Sequence, residues 1–243
     1  MTTAIITGAS HGIGGSLARL LVKSYDCLAI CSRDMDGQLK LLRDELSSIN
    51  SSCRVLCFAG DVSDFDFISA MVDTVYGTTD SIDVLINNAG ISKVGLLTDM
   101  SIDEWNEIIS INLGSVFNTC KCVVPHMIHA KSGRIINVSS VWGNVGASCE
   151  VAYSATKSGI NGFTRALAKE LAPSHISVNA IAFGAIDTRM NSHLSQEELN
   201  ELAQDIPAGR LATPEEAAQF IQNILNTSAY FTGEVIKFDG AWT

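Results

Sequence analysis

Basic residues are scarce in this chain of 243 residues: 16 Lys and Arg stand against 26 Asp and Glu, a formal net charge of −10. Nothing gathers those cations into a stripe, which argues against nucleic acid or an anionic membrane surface as partner. Only four prolines are present, thinly spread, and no repeat, low-complexity tract or charge block marks a domain boundary. No apolar run reads as long enough to span a bilayer. The first residues enter a strand pattern at Thr3 to Thr7 with no basic segment and cleavable apolar stretch ahead of it, so a cytosolic location is expected. The seven cysteines (Cys27, Cys31, Cys53, Cys57, Cys120, Cys122, Cys149) are odd in number and lie mostly in apolar runs. Their CxxxC and CxC spacings lack further His or Cys at ligand distance, so buried reduced thiols are expected, with no metal.

What is present is a large apolar fraction, 47% of the residues, enough for one sizeable α/β core. Short apolar runs read as strands at Ala4 to Thr7, Cys27 to Cys31, Val55 to Ala59, Val84 to Asn87, Arg134 to Val138, Ser177 to Ala182 and Glu234 to Phe238. Helical patterns lie between them. Ser101 with Glu104 and Ser195 with Glu198 fit capping boxes, and Thr213, Pro214 and Glu216 order a cap, a first-turn proline and an acid. Strands without alternation, separated by helices, predict a doubly wound seven-stranded parallel sheet covered on both faces, one domain over residues 1–243.

The first strand leads into TGASHGIG, Thr7 to Gly14. Glycines at 8, 12 and 14 allow a tight turn and close approach of backbone to a pyrophosphate, whose charge would sit at a helix N-terminus. The spacing departs from G-x-G-x-x-G, yet its place between strand and helix is the right context. Just past the second strand come Ser32 and Arg33, a small residue and a cation that suit a 2′-phosphate and favour NADP; Asp34 next door keeps NAD open. His11 is a candidate for a further polar contact to that phosphate.

A second cluster lies in NVSSVWGNVGASCEVAYSATK, Asn137 to Lys157. On a helix, Tyr153 and Lys157 share one face, so an ammonium can approach a phenol. The nearby positive charge is expected to lower the phenol's pKa towards the range of a working acid or base. Ser140, thirteen residues upstream at a strand end, is placed to hydrogen-bond the carbonyl oxygen that the tyrosine protonates.

Taken together these stretches resemble the short-chain dehydrogenase/reductase family over essentially the whole chain. The family's glycine loop matches Thr7 to Gly14, with Gly8, Ser10, His11, Gly12, Ile13 and Gly14 at the cofactor. Its Asp-Val at the adenine matches Asp61 and Val62, and its NNAG matches Asn87, Asn88, Ala89 and Gly90. Its catalytic set matches Asn112, Ser140, Tyr153 and Lys157, the Ser-to-Tyr interval selecting Ser140 over Ser139. Gly184, Ile186 and Thr188 match its nicotinamide end. The resemblance implies a single-domain Rossmann fold, NADPH-dependent reduction of a ketone, a water held by Asn112 for proton resupply, and a homotetramer or homodimer built through the long helices Ile102 to His129 and Val151 to Leu171. Two departures stand out: Phe183 where the family usually has proline, and Asp239-Gly240-Ala241 where Gly-Gly is common.

For the substrate, the resemblance is to bacterial reductases of 3-oxoacyl groups on acyl carrier protein, although of the two basic docking positions one is Lys131 and the other Ser174, with His175 beside it. A narrower resemblance is to a subgroup that reduces a 5-aminopentanone adduct on a lysine of translation elongation factor P, for which Glu150 would pair with an ammonium. Trp142, Val145 and Cys149 would line either pocket, and Met190 to Gln204 sits where the family carries a lid. A small free ketone is a third substrate. A protein that senses NADP without turnover is the reading of another class, against which the complete catalytic set speaks.

Overall fold

Strands whose residues are apolar without alternation must be covered on both faces, and the five inner strands are, whereas the two edge strands, the third and the seventh, are only half-buried. The computed structural model describes residues 1–33, 37–192 and 194–243. Its strands are β1 (Thr3–Thr7), β2 (Cys27–Ser32), β3 (Arg54–Ala59), β4 (Val84–Asn87), β5 (Gly133–Ser140), β6 (Ile176–Phe183) and β7 (Val235–Phe238). They form one parallel sheet in the order β3-β2-β1-β4-β5-β6-β7, a Rossmann-like single domain. Every predicted strand is found within about two residues of its expected ends.

Successive side chains of a strand face opposite ways, and β1 divides accordingly. Ala4 and Ile6 join a core with Leu17, Leu46 and Ile221 from α1 (Gly12–Leu21), α2 (Gln38–Ile49) and α9 (Pro214–Leu225). Ile5 joins the opposite core with Ile68, Val123 and Ile160 from α3 (Phe65–Thr79), α5 (Ser115–Ala130) and α7 (Val151–Leu171). The two expected capping boxes form, at α4 (Ile102–Ile109) and at α8 (Gln196–Asp205), and the expected cap, proline and acid at the start of α9 also close a capping box. A short α6 (Trp142–Val145) precedes α7.

Two expectations need correction. The long helix from Ile102 is interrupted between α4 and α5 by a π-helical turn, Ser110–Gly114, that carries the fully buried Asn112. Such turns concentrate at functional sites. The stretch Ile102–Ala130 also has the length and apolarity to cross a membrane, contrary to the sequence reading, but half of its most apolar window is buried inside the fold, as in a core helix.

Parallel strands meet their covering helices through a buried polar chain. Thr119 Oγ1 donates to Asn87 Oδ1 (2.7 Å), Asn87 Nδ2 to Asn137 Oδ1 (2.8 Å), and Asn137 Nδ2 to Thr164 Oγ1 (2.9 Å), tying α5, β4, β5 and α7. Asn137→Ala breaks this chain in its middle. It is expected to cost about 1–3 kcal/mol for each buried group left without a partner, measured as the loss of unfolding free energy in urea.

Candidate active site

Strand order reverses between β1 and β4, and a cavity of about 770 Å³ lies beside their carboxyl ends, where open α/β sheets bind ligands. The loop from β1 into α1 lines one end. Gly8 has φ +65°, and a Cβ there would lie 2.7 Å from Ala89 Cα; a Cβ on Gly14 would lie 2.4 Å from the Gly8 carbonyl oxygen. Any side chain at either position must displace backbone. The Asn88 amide braces the loop by donating to the carbonyls of Thr7 and Gly8, 2.9 Å each, and Thr7 Oγ1 accepts from the N–H groups of Asn88 (3.0 Å) and Ala89 (3.1 Å).

This loop fits a dinucleotide. His11, the N-cap of α1, is extended and makes no side-chain cap hydrogen bond, and no acid occupies the first turn, which leaves the helix terminus suited to an anion. Gly8, Ser10, His11, Gly12 and Ile13 line the cavity, followed by Ser32, Arg33, Val62, Asn88, Ala89 and Gly90. Across from them stand Gly184, Ile186 and Thr188; a Cβ on Gly12 would lie 3.2 Å from Thr188 Cγ2. Arg33 is half exposed, 3.9 Å from Glu107. Asp34 lies outside the described residues. Gly14 and Asp61 do not line the cavity: Gly14 packs beneath the loop, and Asp61 Oδ1 accepts from Ser63 N (2.8 Å) and Ser63 Oγ (2.7 Å) in the turn before α3.

Ser140, Tyr153 and Lys157 meet in the same cavity. The Lys157 ammonium, 5.4 Å from the centroid of the Tyr153 ring, donates to the Val138 carbonyl at 2.8 Å. Burial pushes its pKa down to about 8. The expectation for the phenol is overturned. Burial above all, then the Glu150 carboxylate, push the Tyr153 pKa well up, and only the hydrogen bond with Ser140 pulls it down. Desolvation dominates because the ring is enclosed by the sheet edge and helix that position it. Ser139 is otherwise engaged, donating to Asn161 Oδ1 (2.7 Å). Asn112 stands behind Gly90: its Nδ2 donates to Ile91 O (2.9 Å) and Thr156 Oγ1 (3.2 Å), and its Oδ1 accepts from Ile91 N (2.8 Å). A Cβ on Gly90 would lie 3.4 Å from Asn112 Oδ1 and 3.6 Å from Lys157 Nζ.

Trp142 and Glu150 line the cavity beyond Ser140, with Glu150 accepting from Ser92 Oγ at 2.6 Å. Val145 and Cys149 do not. Val145 ends α6 and is 62% exposed, while Cys149 takes a left-handed turn (φ 61°) whose carbonyl accepts from Gly95 N at 2.8 Å. From the expected lid, Met190, Leu194 and Leu202 line the mouth; His193 within it lies outside the described residues. Trp242, Ser92 and Arg189 also line the cavity and carry no sequence motif that marks them. Among the described residues no cluster of His, Cys, Asp or Glu could hold a metal.

This architecture is that of a known class, and the chain belongs to the short-chain dehydrogenase family, whose model matches residues 2–199. It is an oxidoreductase acting between alcohols and carbonyls. It is similar to the 3-oxoacyl-[acyl-carrier-protein] reductase of Chlamydia trachomatis, 40% identical over 241 residues that cover 98% of this chain and 96% of the relative. An uncharacterized oxidoreductase of Bacillus subtilis is 37% identical over 242 residues, 99% of this chain and 98% of the relative. The crystal structure of 3-oxoacyl-[acyl-carrier protein] reductase from Brucella melitensis superposes with a TM-score of 0.90 at 34% identity, covering 100% of this chain and 91% of that one.

Glu150→Gln removes the charge that, after burial, raises the Tyr153 pKa. Ultraviolet titration of tyrosinate, with Tyr153→Phe identifying the signal, is expected to show this phenol ionising at lower pH in the variant while remaining above an ordinary tyrosine, because burial persists.

Proposed function

We propose that this chain reduces a 3-oxoacyl thioester on acyl carrier protein to the 3-hydroxyacyl thioester with NADPH. The observation that carries the reading is the convergence of Ser140, Tyr153 and Lys157 at one end of a cavity whose other end is the glycine loop with Ser32 and Arg33. The resemblance to reductases of that name supports the substrate. The comparisons lend no support to an aminopentanone adduct on elongation factor P or to a sensor without turnover. We treat residues 1–243 as one NADP-binding domain acting in the cytoplasm.

The glycine loop and the start of α1 would hold the pyrophosphate, Arg33 the 2′-phosphate, and Lys157 the ribose beside the nicotinamide. When bound, NADPH supplies the hydride that reduces the carbonyl carbon. Tyr153 donates its phenolic proton to the carbonyl oxygen, and Ser140 orients and polarises that oxygen. A phenol with a raised pKa holds this proton at neutral pH, as an acid must. Proton return to Tyr153 runs past Lys157 and Asn112.

Lys131 and Ser174 directly precede the turns into β5 and β6, at the amino edge of the sheet, roughly 25 Å of strand from Ser140. A carrier docked there would sit at the edge of the sheet opposite this copy's cavity. By the family resemblance we propose a homotetramer or homodimer, for which Ile102, Phe117 and Val151, exposed on the long helices, supply apolar surface.

The test is NADPH oxidation with an acetoacetyl thioester. Tyr153→Phe is expected to lower kcat by about 10²–10⁴ with NADPH binding intact. Activity of the native protein is expected to fall as pH rises through about 8, where Lys157 loses its charge, since Tyr153 keeps its proton well beyond that. Arg33→Ala is expected to weaken NADPH roughly 10- to 100-fold and to leave NADH unaffected. Tight NADPH binding without thioester turnover would overturn the reading.

A further inference from the structure

The substrate end of the cavity is lined in part by the segment after β7, whose Asp239-Gly240-Ala241 departs from the family pattern. After β7 the chain turns through Gly240 and Ala241, both left-handed at φ 64° and 69°. Trp242 is thereby carried onto Trp142, with ring centroids 4.8 Å apart and planes tilted by 57°. Both indoles line the cavity. Trp142 also stands next to the reacting end in the chain, for its backbone N–H donates to Ser140 Oγ at 3.2 Å. An aromatic wall therefore begins beside the hydroxyl assigned to the carbonyl oxygen.

The turn presenting Trp242 is gripped from within and from without. Asp239, whose side chain is 7% exposed, accepts from Ala241 N (3.1 Å), Thr243 N (3.0 Å) and Thr243 Oγ1 (3.0 Å), with the Lys237 ammonium 3.9 Å from the same carboxylate. A Cβ on Gly184 would lie 2.9 Å from Asp239 Cα, and one on Gly240 2.9 Å from both Ala208 Cβ and Ile206 Cγ2. Ala208 N donates to Gly240 O at 3.2 Å. The end of β6 and the chain leaving α8 thus hold the turn between them, and with it the backbone that seats Trp242 on Trp142.

We infer that Trp242, seated on Trp142, is a specificity-determining residue that limits the length of the acyl group beyond the carbonyl. The inference rests on the ketoacyl reading above. A cavity of about 770 Å³ must hold a dinucleotide as well as the acyl group, and a rigid indole occupies space that a longer chain would need. Each methylene newly buried is worth about fourfold in kcat/KM, so opening this wall changes the ranking of substrates and not the chemistry.

The experiment compares kcat/KM for 3-oxoacyl thioesters of increasing chain length in the native protein, Trp242→Ala and Trp242→Phe, with NADPH affinity measured alongside by fluorescence. The native protein is expected to prefer the shortest chains. Trp242→Ala is expected to gain about fourfold per added methylene over the next few carbons, Trp242→Phe to stay near native, and NADPH affinity to be unchanged in all three. Should alanine loosen the turn and lose NADPH, Trp242→Leu keeps an apolar contact with Trp142 and must shift the preference the same way. An unchanged length profile in variants that bind NADPH overturns the inference alone. Absence of thioester turnover by the native protein overturns the ketoacyl reading, and the inference with it.

Discussion

One buried ammonium organises the carboxyl edge of this sheet. Lys157 is 3% exposed and donates to the Val138 carbonyl at 2.8 Å, and leaving water brings its pKa from 10.5 to about 8. The unfolded chain therefore binds more protons between those values, so burial of the charge opposes folding below pH 8 and the penalty, of order 3 kcal/mol, fades as pH rises towards 10.5. The surrounding packing has to hold that charge in place. A Cβ on Gly143 would lie 2.7 Å from the Lys157 carbonyl carbon, so only glycine lets α6 lie so closely on α7. The Gly143 carbonyl in turn accepts from Ser158 Oγ (2.8 Å) and Asn161 Nδ2 (3.2 Å).

The tyrosine obeys the same constraint with the opposite sign. Burial favours the neutral form of each group, lowering the pKa of an ammonium and raising that of a phenol. A phenol and an ammonium brought together in water would draw each other towards the ion pair; enclosed here, desolvation is the leading cause for both groups. The Glu150 carboxylate adds to the effect, and Ser140 opposes it. The pair is thus poised with the proton on the tyrosine, the arrangement suited to giving a proton to a carbonyl oxygen.

The two departures from the family pattern meet in space. Phe183 ends β6 and its ring lies 5.7 Å, edge-on, from Phe238 at the end of β7, while the next residue, Gly184, abuts Asp239. Where a proline would stiffen the loop by its own ring, here aromatic packing and the Asp239 turn hold it.

Strands, capping boxes and the glycine loop were legible in the sequence because their causes are local: continuous apolar runs, an acid three residues after a hydroxyl, a glycine where backbone must approach backbone. Helical spacing put Tyr153 and Lys157 on one face, and the family resemblance selected Ser140 over Ser139; the three meet in the cavity. The π-turn at Asn112 was not legible, since helix periodicity differs little across one extra residue. Nor was the fate of Val145 and Cys149, which a turn carries away from the cavity, or that of Trp242, brought to it by contacts with residues far back in the chain. The sequence by itself determined the elements, their order and the chemistry available, because those follow from neighbours along the backbone. Only the tertiary structure decided which way the tyrosine and lysine titrate and which side chains wall the substrate, because desolvation and cavity shape are properties of enclosure, made by segments that meet only when the chain is folded.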